Sequence, residues 1–259
     1  MQTYAYGFPR LGKNREFKRI LEDFWVKKIT DKELVSSFDK LEEERISIYK
    51  NYVDEFVLGE FTYYDNIFDT SLIFGVYKFK NFDEYFDYAR GKNALELRKY
   101  FNTNYHYLVP TLTKSLNFSI SWNKPLFYFN RFFSFKDNPV FMIGPYTFLK
   151  LSKCESDFEA IFAKLCNGYE TLFKEFIKDG IRYVHLEEPA FCLDVPKKEI
   201  KLIKKYYKEI IISGLKINLI TYYESVDFLK ELYELPFYSI GLDFVLGLDN
   251  LLNIKKLSF

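Results

Sequence analysis

Short apolar runs alternate with longer segments of helical period along the chain, and that alternation limits the fold more than any other feature. Strand-like runs fall at residues 4–8, 56–59, 105–109, 140–143, 183–186, 216–221 and 239–243. Pro9, Pro110 and the Gly144-Pro145 pair stop three of them. Residues 118–122 also alternate and are expected to form one strand of a hairpin. Between the runs, apolar residues recur at helical steps. Phe17, Ile20, Leu21, Phe24 and Trp25 make one helix face, and Thr30 with Glu33 is a capping box opening a charged helix to about Tyr52. Short helices are expected at 81–90 and 94–99, parted by Gly91. A long amphipathic helix carries Phe158, Phe162, Leu165, Tyr169, Phe173 and Phe176 and stops at Gly180. Helices at 197–210, at 226–233 and from Leu248 complete the pattern.

Alternation of this kind requires parallel strands joined by crossover helices, hence a barrel or a doubly wound sheet. No GxGxxG or GxxxxGK[ST] motif follows a strand, which counts against a nucleotide-binding sheet. Glu187, Glu188, residues 222–224 and Asp243 stand at strand ends, where barrels place their chemistry. The expected fold is α/β, a (β/α)8 TIM-type barrel. Residues 1–259 are expected to form one domain, without internal repeat or low-complexity linker.

Composition removes several function classes. The chain is 48% hydrophobic and 28% charged, too apolar for disorder and too charged for a membrane bundle. A net charge of +1 gives no field to steer it toward nucleic acid or anionic lipid, and neither is expected as a partner. No apolar run approaches the length of about 18 residues that spans a bilayer. The start carries no signal segment, so a cytoplasmic protein is expected. Aromatic residues reach 20% and are read as core filler from a biased composition. Cys154, Cys166 and Cys192 form no CxxC pair, and with His106 and His185 as the two histidines no zinc spacing is present.

Three segments carry candidate chemistry. The first, GFPRLGKNREFKR, gathers Arg10, Lys13, Arg15, Lys18 and Arg19 around a helix N-terminus, with Gly12 letting the backbone turn. Bases at the positive end of a helix cost about a few tenths of a kcal/mol unless an anion sits there. The second, residues 100–110, holds two asparagines, three tyrosines and His106, a satisfied strand histidine on this reading. Lys99, just upstream, is placed to aim a second cation at the face of Lys18. The third, YVHLEEPAF, puts Glu187 and Glu188 on opposite sides of a strand. They are expected to be one inward hydrogen-bonding carboxylate and one structural partner to a cation.

Together GFPRLGKNREFK (7–18), TNYHYLVP (103–110), IGPYTFLKL (143–151), HLEEPA (185–190) and LITYYES (219–225) resemble the N-terminal half of cobalamin-independent methionine synthase, in the family's order. The resemblance implies transfer of a methyl group from 5-methyltetrahydrofolate polyglutamate to homocysteine. It implies two face-to-face barrels, with zinc and homocysteine held by the C-terminal one. This chain is then expected to bind no zinc, to use no cobalamin and to meet homocysteine only through that second barrel. The family's tail-binding positions fall on Arg15, Glu16, Phe17, Lys18 and Lys99, which implies a role for them in holding the folate's polyglutamate tail.

The sequence also departs from the family pattern. Only seven barrel strands are expected, so the barrel reads as truncated at its C-terminal end with the closing strand missing. Leu246 stands before Gly247 where the family has a histidine. Alone, the chain is expected to be inactive. Two other readings are a non-catalytic binding or assembly subunit that needs a separate zinc-barrel chain, and an independent barrel hydrolase using Glu187 or Glu188.

Overall fold

A computed structural model describes residues 2–257. The strands, in chain order, are β1 (Tyr4–Ala5), β2 (Glu55–Phe56), β3 (Leu97–Lys99), β4 (His106–Leu108), β5 (Thr111–Leu112), β6 (Val140–Ile143), β7 (Lys153–Cys154), β8 (Tyr183–Glu187), β9 (Lys216–Ile220) and β10 (Ser239–Gly241). The helices are α1 (Glu16–Trp25), α2 (Asp31–Tyr52), α3 (Asn66–Ile73), α4 (Phe82–Arg90), α5 (Lys124–Arg131), α6 (Pro145–Lys150), α7 (Phe158–Lys178), α8 (Lys197–Ile210), α9 (Leu229–Tyr233) and α10 (Asp249–Lys255).

Strands β6, β8, β9 and β10 form a parallel sheet in the order β10-β9-β8-β6. Strand β1 pairs in parallel with β2, and a parallel bridge from Leu58 to Val140 ties the end of that pair to β6. Strands β1, β2, β6, β8, β9 and β10 therefore succeed one another in chain order with helices crossing between them, while β3–β4 and β5–β7 form separate pairs. Val140–Ile143 is buried throughout, as expected of a strand covered on both faces. Helix α7 packs on α8 and buries Phe162, Leu165, Tyr169, Phe173 and Phe176. The aromatic excess goes largely into this core: Tyr85, Tyr146, Tyr169, Tyr207 and Phe38 are among its fully buried large side chains.

Helix ends follow the sequence signals. Thr30 and Glu33 form the reciprocal capping box, and Asn81 caps α4 by accepting from the Glu84 N–H. Gly180, at φ +95°, ends the α7 segment. Three expectations are corrected. Residues 94–99 were expected to be helical, but Leu97–Lys99 is a strand paired antiparallel with β4. A helix that short has no stability of its own, whereas the ladder supplies cross-strand bonds. The run 105–109, expected among the barrel strands, lies in this hairpin rather than in the main sheet. Residues 118–122 form no strand: Phe118 adopts φ +49°, and the Ser121 N–H donates to Ile73 O at the end of α3. Helices α3, α5 and α6 arise where no helix was expected. Asp65 and Asn123 cap α3 and α5, and the prolines that open α5 and α6 suit a first helical turn.

Candidate functional site

A cavity of about 370 Å³ opens at the C-terminal ends of the parallel strands. Residues 6–10 after β1, Glu60–Thr62 after β2, Ile143 at the end of β6, Glu187 at the end of β8 and Tyr222–Tyr223 after β9 all line it. Asp65 and Asn66 at the start of α3 and residues 105–107 of the β3–β4 hairpin close its other side.

One wall is a chain of hydrogen bonds that converges on Glu187. His185, fully buried, lies with Nε2 3.0 Å from Glu187 Oε1, and the Tyr222 hydroxyl donates to Glu187 Oε2 at 2.6 Å. Tyr222 has spent its proton on Glu187, so the Tyr100 hydroxyl, 3.1 Å away, donates to Tyr222. His185 Nε2 faces the Glu187 carboxyl, so Nε2–H donates there, and the Tyr4 hydroxyl donates to Nδ1 over 2.6 Å. The Tyr6 ring centroid lies 4.8 Å from that of His185, and Phe141 stacks on the other side. Burial raises the Tyr4 hydroxyl well above the ordinary tyrosine range and pushes Tyr6 up to about 12, so both remain protonated donors at neutral pH.

The opposite wall is ionic. Glu60 accepts the Gly7 N–H at 2.9 Å, the Phe8 N–H at 3.2 Å and the Tyr49 hydroxyl at 3.1 Å, and it pairs with Arg45. Arg45 is also paired with Glu42, so its charge is balanced twice over. Arg10 differs. Its guanidinium lies 4.8 Å from the Phe17 ring centroid and donates a long hydrogen bond of 3.5 Å to Thr62 O. No carboxylate forms an ion pair with it among the described residues, and burial lowers its pKa. Asp65 is buried nearby, accepting from the Phe68 and Leu108 N–H groups, and burial pushes its carboxyl up to about 7.

The positions matched to the family's tail-binding site lie outside this cavity. Arg15 is exposed and caps α1 in a left-handed conformation (φ +61°). Glu16 is turned into its own loop, where it accepts from Asn14 N–H at 2.8 Å and Asn14 Nδ2 at 3.0 Å; hydrogen bonds from its own backbone N–H and that of Asn14 lower its pKa. Gly12, at φ +74°, leaves room for that carboxylate where a Cβ would collide with it. Phe17 is buried, with its ring 5.1 Å from Phe38 and 5.8 Å from Phe61, so its side chain serves the core. Lys18 is exposed 3.6 Å from Glu22, and Lys99 is exposed in β3 opposite His106. No hydrogen bond or ion pair joins Lys18 to Lys99 among the described residues. Lys99 lies in the hairpin that carries cavity-lining His106, and Lys18 lies in α1, which follows the cavity-lining Tyr6–Arg10 loop but supplies no wall itself.

Other expectations change. His106 is exposed at the start of its strand and lines the cavity, because the hairpin lies at the surface. Glu187 is the inward carboxylate. Glu188 pairs with no cation among the described residues: it is fully buried and accepts from the Tyr146 and Thr147 N–H groups at 3.0 and 2.7 Å and from the Thr147 and Tyr207 hydroxyls. It lies outside the cavity, so the two carboxylates do not flank one substrate bond. Among the described residues no three His, Cys, Asp or Glu side chains converge as a metal site. Cys166 is buried with its thiol pKa raised by that burial, Cys154 is exposed, and Cys192 is pushed up to about 11, a thiol set that does not fit zinc.

Sequence reasoning missed the Tyr4–His185–Glu187–Tyr222–Tyr100 chain. A partial signal was available, since His185 and Glu187 are two apart on a strand and share a face. The tyrosines come from remote segments and had no sequence signature.

Comparisons with known proteins identify the family. The family described as "Cobalamin-independent synthase, N-terminal domain" matches residues 2–259. Proteins named 5-methyltetrahydropteroyltriglutamate–homocysteine methyltransferase are similar across the chain. That of Thermotoga petrophila is 38% identical and covers 100% of this chain, and that of Bacillus cytotoxicus is 38% identical and covers 99%. That of Listeria monocytogenes is 38% identical over 92% of the chain. The chain spans 37%, 36% and 34% of these relatives' own lengths. With the family matched along nearly its whole length, this chain belongs to the N-terminal domain family of the cobalamin-independent methionine synthases.

Proposed function

We propose that residues 1–259 form one domain, an incomplete barrel of the (β/α)8 type, that works in methionine biosynthesis, in the cytoplasm, as the N-terminal part of a methyltransferase. In that reading it helps hold the polyglutamate tail of 5-methyltetrahydrofolate while another part of the enzyme, carrying zinc and homocysteine, performs the transfer. No step of the transfer is assigned to residues of this chain. The observation that carries the reading is the exposure of three cations, Arg15 and Lys18 at the start of the helix that follows the cavity-lining Tyr6–Arg10 loop and Lys99 in the hairpin that carries cavity-lining His106, within a chain of this family.

Each exposed cation–carboxylate pair is worth about 0–1 kcal/mol, so no single lysine holds the tail, and the sum is sensitive to salt. Glu16 contributes by fixing the loop, and Phe17 by anchoring α1 to the core. The test is steady-state kinetics of the complete enzyme with Lys18→Ala and Lys99→Ala combined. The Michaelis constant for the triglutamate folate should rise about tenfold, equivalent to about 1.4 kcal/mol, with that for homocysteine unchanged. Equal effects on both substrates reject the role.

A further inference from the structure

The tail-binding reading leaves the cavity itself unused, and the cavity has the properties of a second binding site. Its volume of about 370 Å³ is within the range of small-molecule sites. Its wall is dominated by rings, with Tyr6, Phe61, Tyr105, Phe141 and Tyr223 among them. Tyr105 is 60% exposed and Tyr6 38%, so they form a mouth rather than a core. Planar faces of this kind favour a flat unsaturated ligand.

The charges narrow the class further. Arg45 is matched by Glu42 and Glu60, whereas Arg10, on the same wall, has five N–H donors and one long bond to Thr62 O. A guanidinium in that position suits a carboxylate, which accepts two parallel N–H bonds. Glu60, Asp65 and Glu187 line the same space, so a multiply charged anion such as phosphate is repelled more strongly than a single carboxylate on Arg10. Tyr223 adds an independent sign. It is held at φ +85° by the Asp243 carboxylate, which accepts its N–H at 3.0 Å, and its ring lies 5.4 Å from that of Phe101, itself at φ +51°. A non-glycine residue held in the left-handed region in the cavity wall, backed by a second one behind it, marks a wall built at an energetic cost.

We propose that this cavity binds a small aromatic monocarboxylate, its carboxylate on Arg10 and its ring among Tyr6, Tyr105 and Tyr223. The site is separate from Arg15, Lys18 and Lys99.

Benzoate is the probe, titrated into the full chain and followed by saturation-transfer NMR. Benzyl alcohol, cyclohexanecarboxylate and inorganic phosphate run beside it. Benzoate should bind with a dissociation constant in the millimolar range, on the order of 1–10 mM. Benzyl alcohol and cyclohexanecarboxylate should each bind at least about tenfold more weakly, and phosphate should not displace benzoate. Arg10→Gln should weaken binding at least about tenfold, and Tyr105→Ala, at an exposed position that the fold does not need, several-fold. Lys18→Ala with Lys99→Ala should leave it unchanged, which separates this site from the tail-binding one. Absence of benzoate binding at about 50 mM overturns the proposal. So does unchanged binding in both Arg10→Gln and Tyr105→Ala, or displacement by phosphate. Cyclohexanecarboxylate binding as tightly as benzoate overturns the aromatic assignment.

Discussion

Asp65 and Glu188 are buried carboxyls held by N–H and O–H donors rather than by ion pairs, and burial pushes each up to about 7 from ordinary values of 3.8 and 4.5. A raised acid pKa means the folded state keeps its proton longer than the unfolded chain. The associated stability is complete below the unfolded values and is lost as pH rises through about 7. The urea midpoint should therefore fall between about pH 5 and pH 8. Glu188→Gln should cost about 1–3 kcal/mol, because its amide turns a donor toward donors, and should flatten part of the slope. A midpoint that is level or rises over that interval contradicts this account. The sequence exposed the inward and outward pair at Glu187 and Glu188 through strand periodicity. It could not show that Glu188 meets the start of α6 and the Tyr207 hydroxyl, because those partners are 41, 42 and 19 residues away.

Elements with strong local signals were legible. The capping box of α2, the apolar face of α7 and the buried run of β6 each carry their own evidence in a short window. Elements decided by a distant partner were not. Residues 94–99 became part of a hairpin because β4 pairs with them, and residues 118–122 became irregular because α3 and α7 pack on them. Gly168 in α7 records that last contact: a Cβ there would lie 2.9 Å from Phe118 O and 3.1 Å from Phe118 Cβ. The obstacle is backbone, so it cannot swing aside. Gly168→Ala should lower stability by about 1–3 kcal/mol despite alanine's better helix propensity. Chemical denaturation measures this, and a stabilised variant would show that α7 does not bear on that segment.

At the scale of the molecule, parallel strands in chain order put every first post-strand residue at one end, and the cavity lies there. That placement was legible in the sequence as acids and tyrosines after strand runs. The basic cluster at the start of α1 stood out in the sequence because bases crowd a helix N-terminus, whereas the choice of Arg15, Lys18 and Lys99 as tail-binding cations came from the family resemblance. These cations are also where the central claim can be tested most directly. Equilibrium titration of the chain with methyltetrahydropteroyltriglutamate and with its monoglutamate form, at low and at physiological salt, isolates the contribution of the tail. The account predicts tighter binding of the triglutamate by about tenfold, an advantage that shrinks with salt and disappears when Lys18→Ala and Lys99→Ala are combined. Equal binding of the two forms, or an advantage that survives the double substitution, would contradict it.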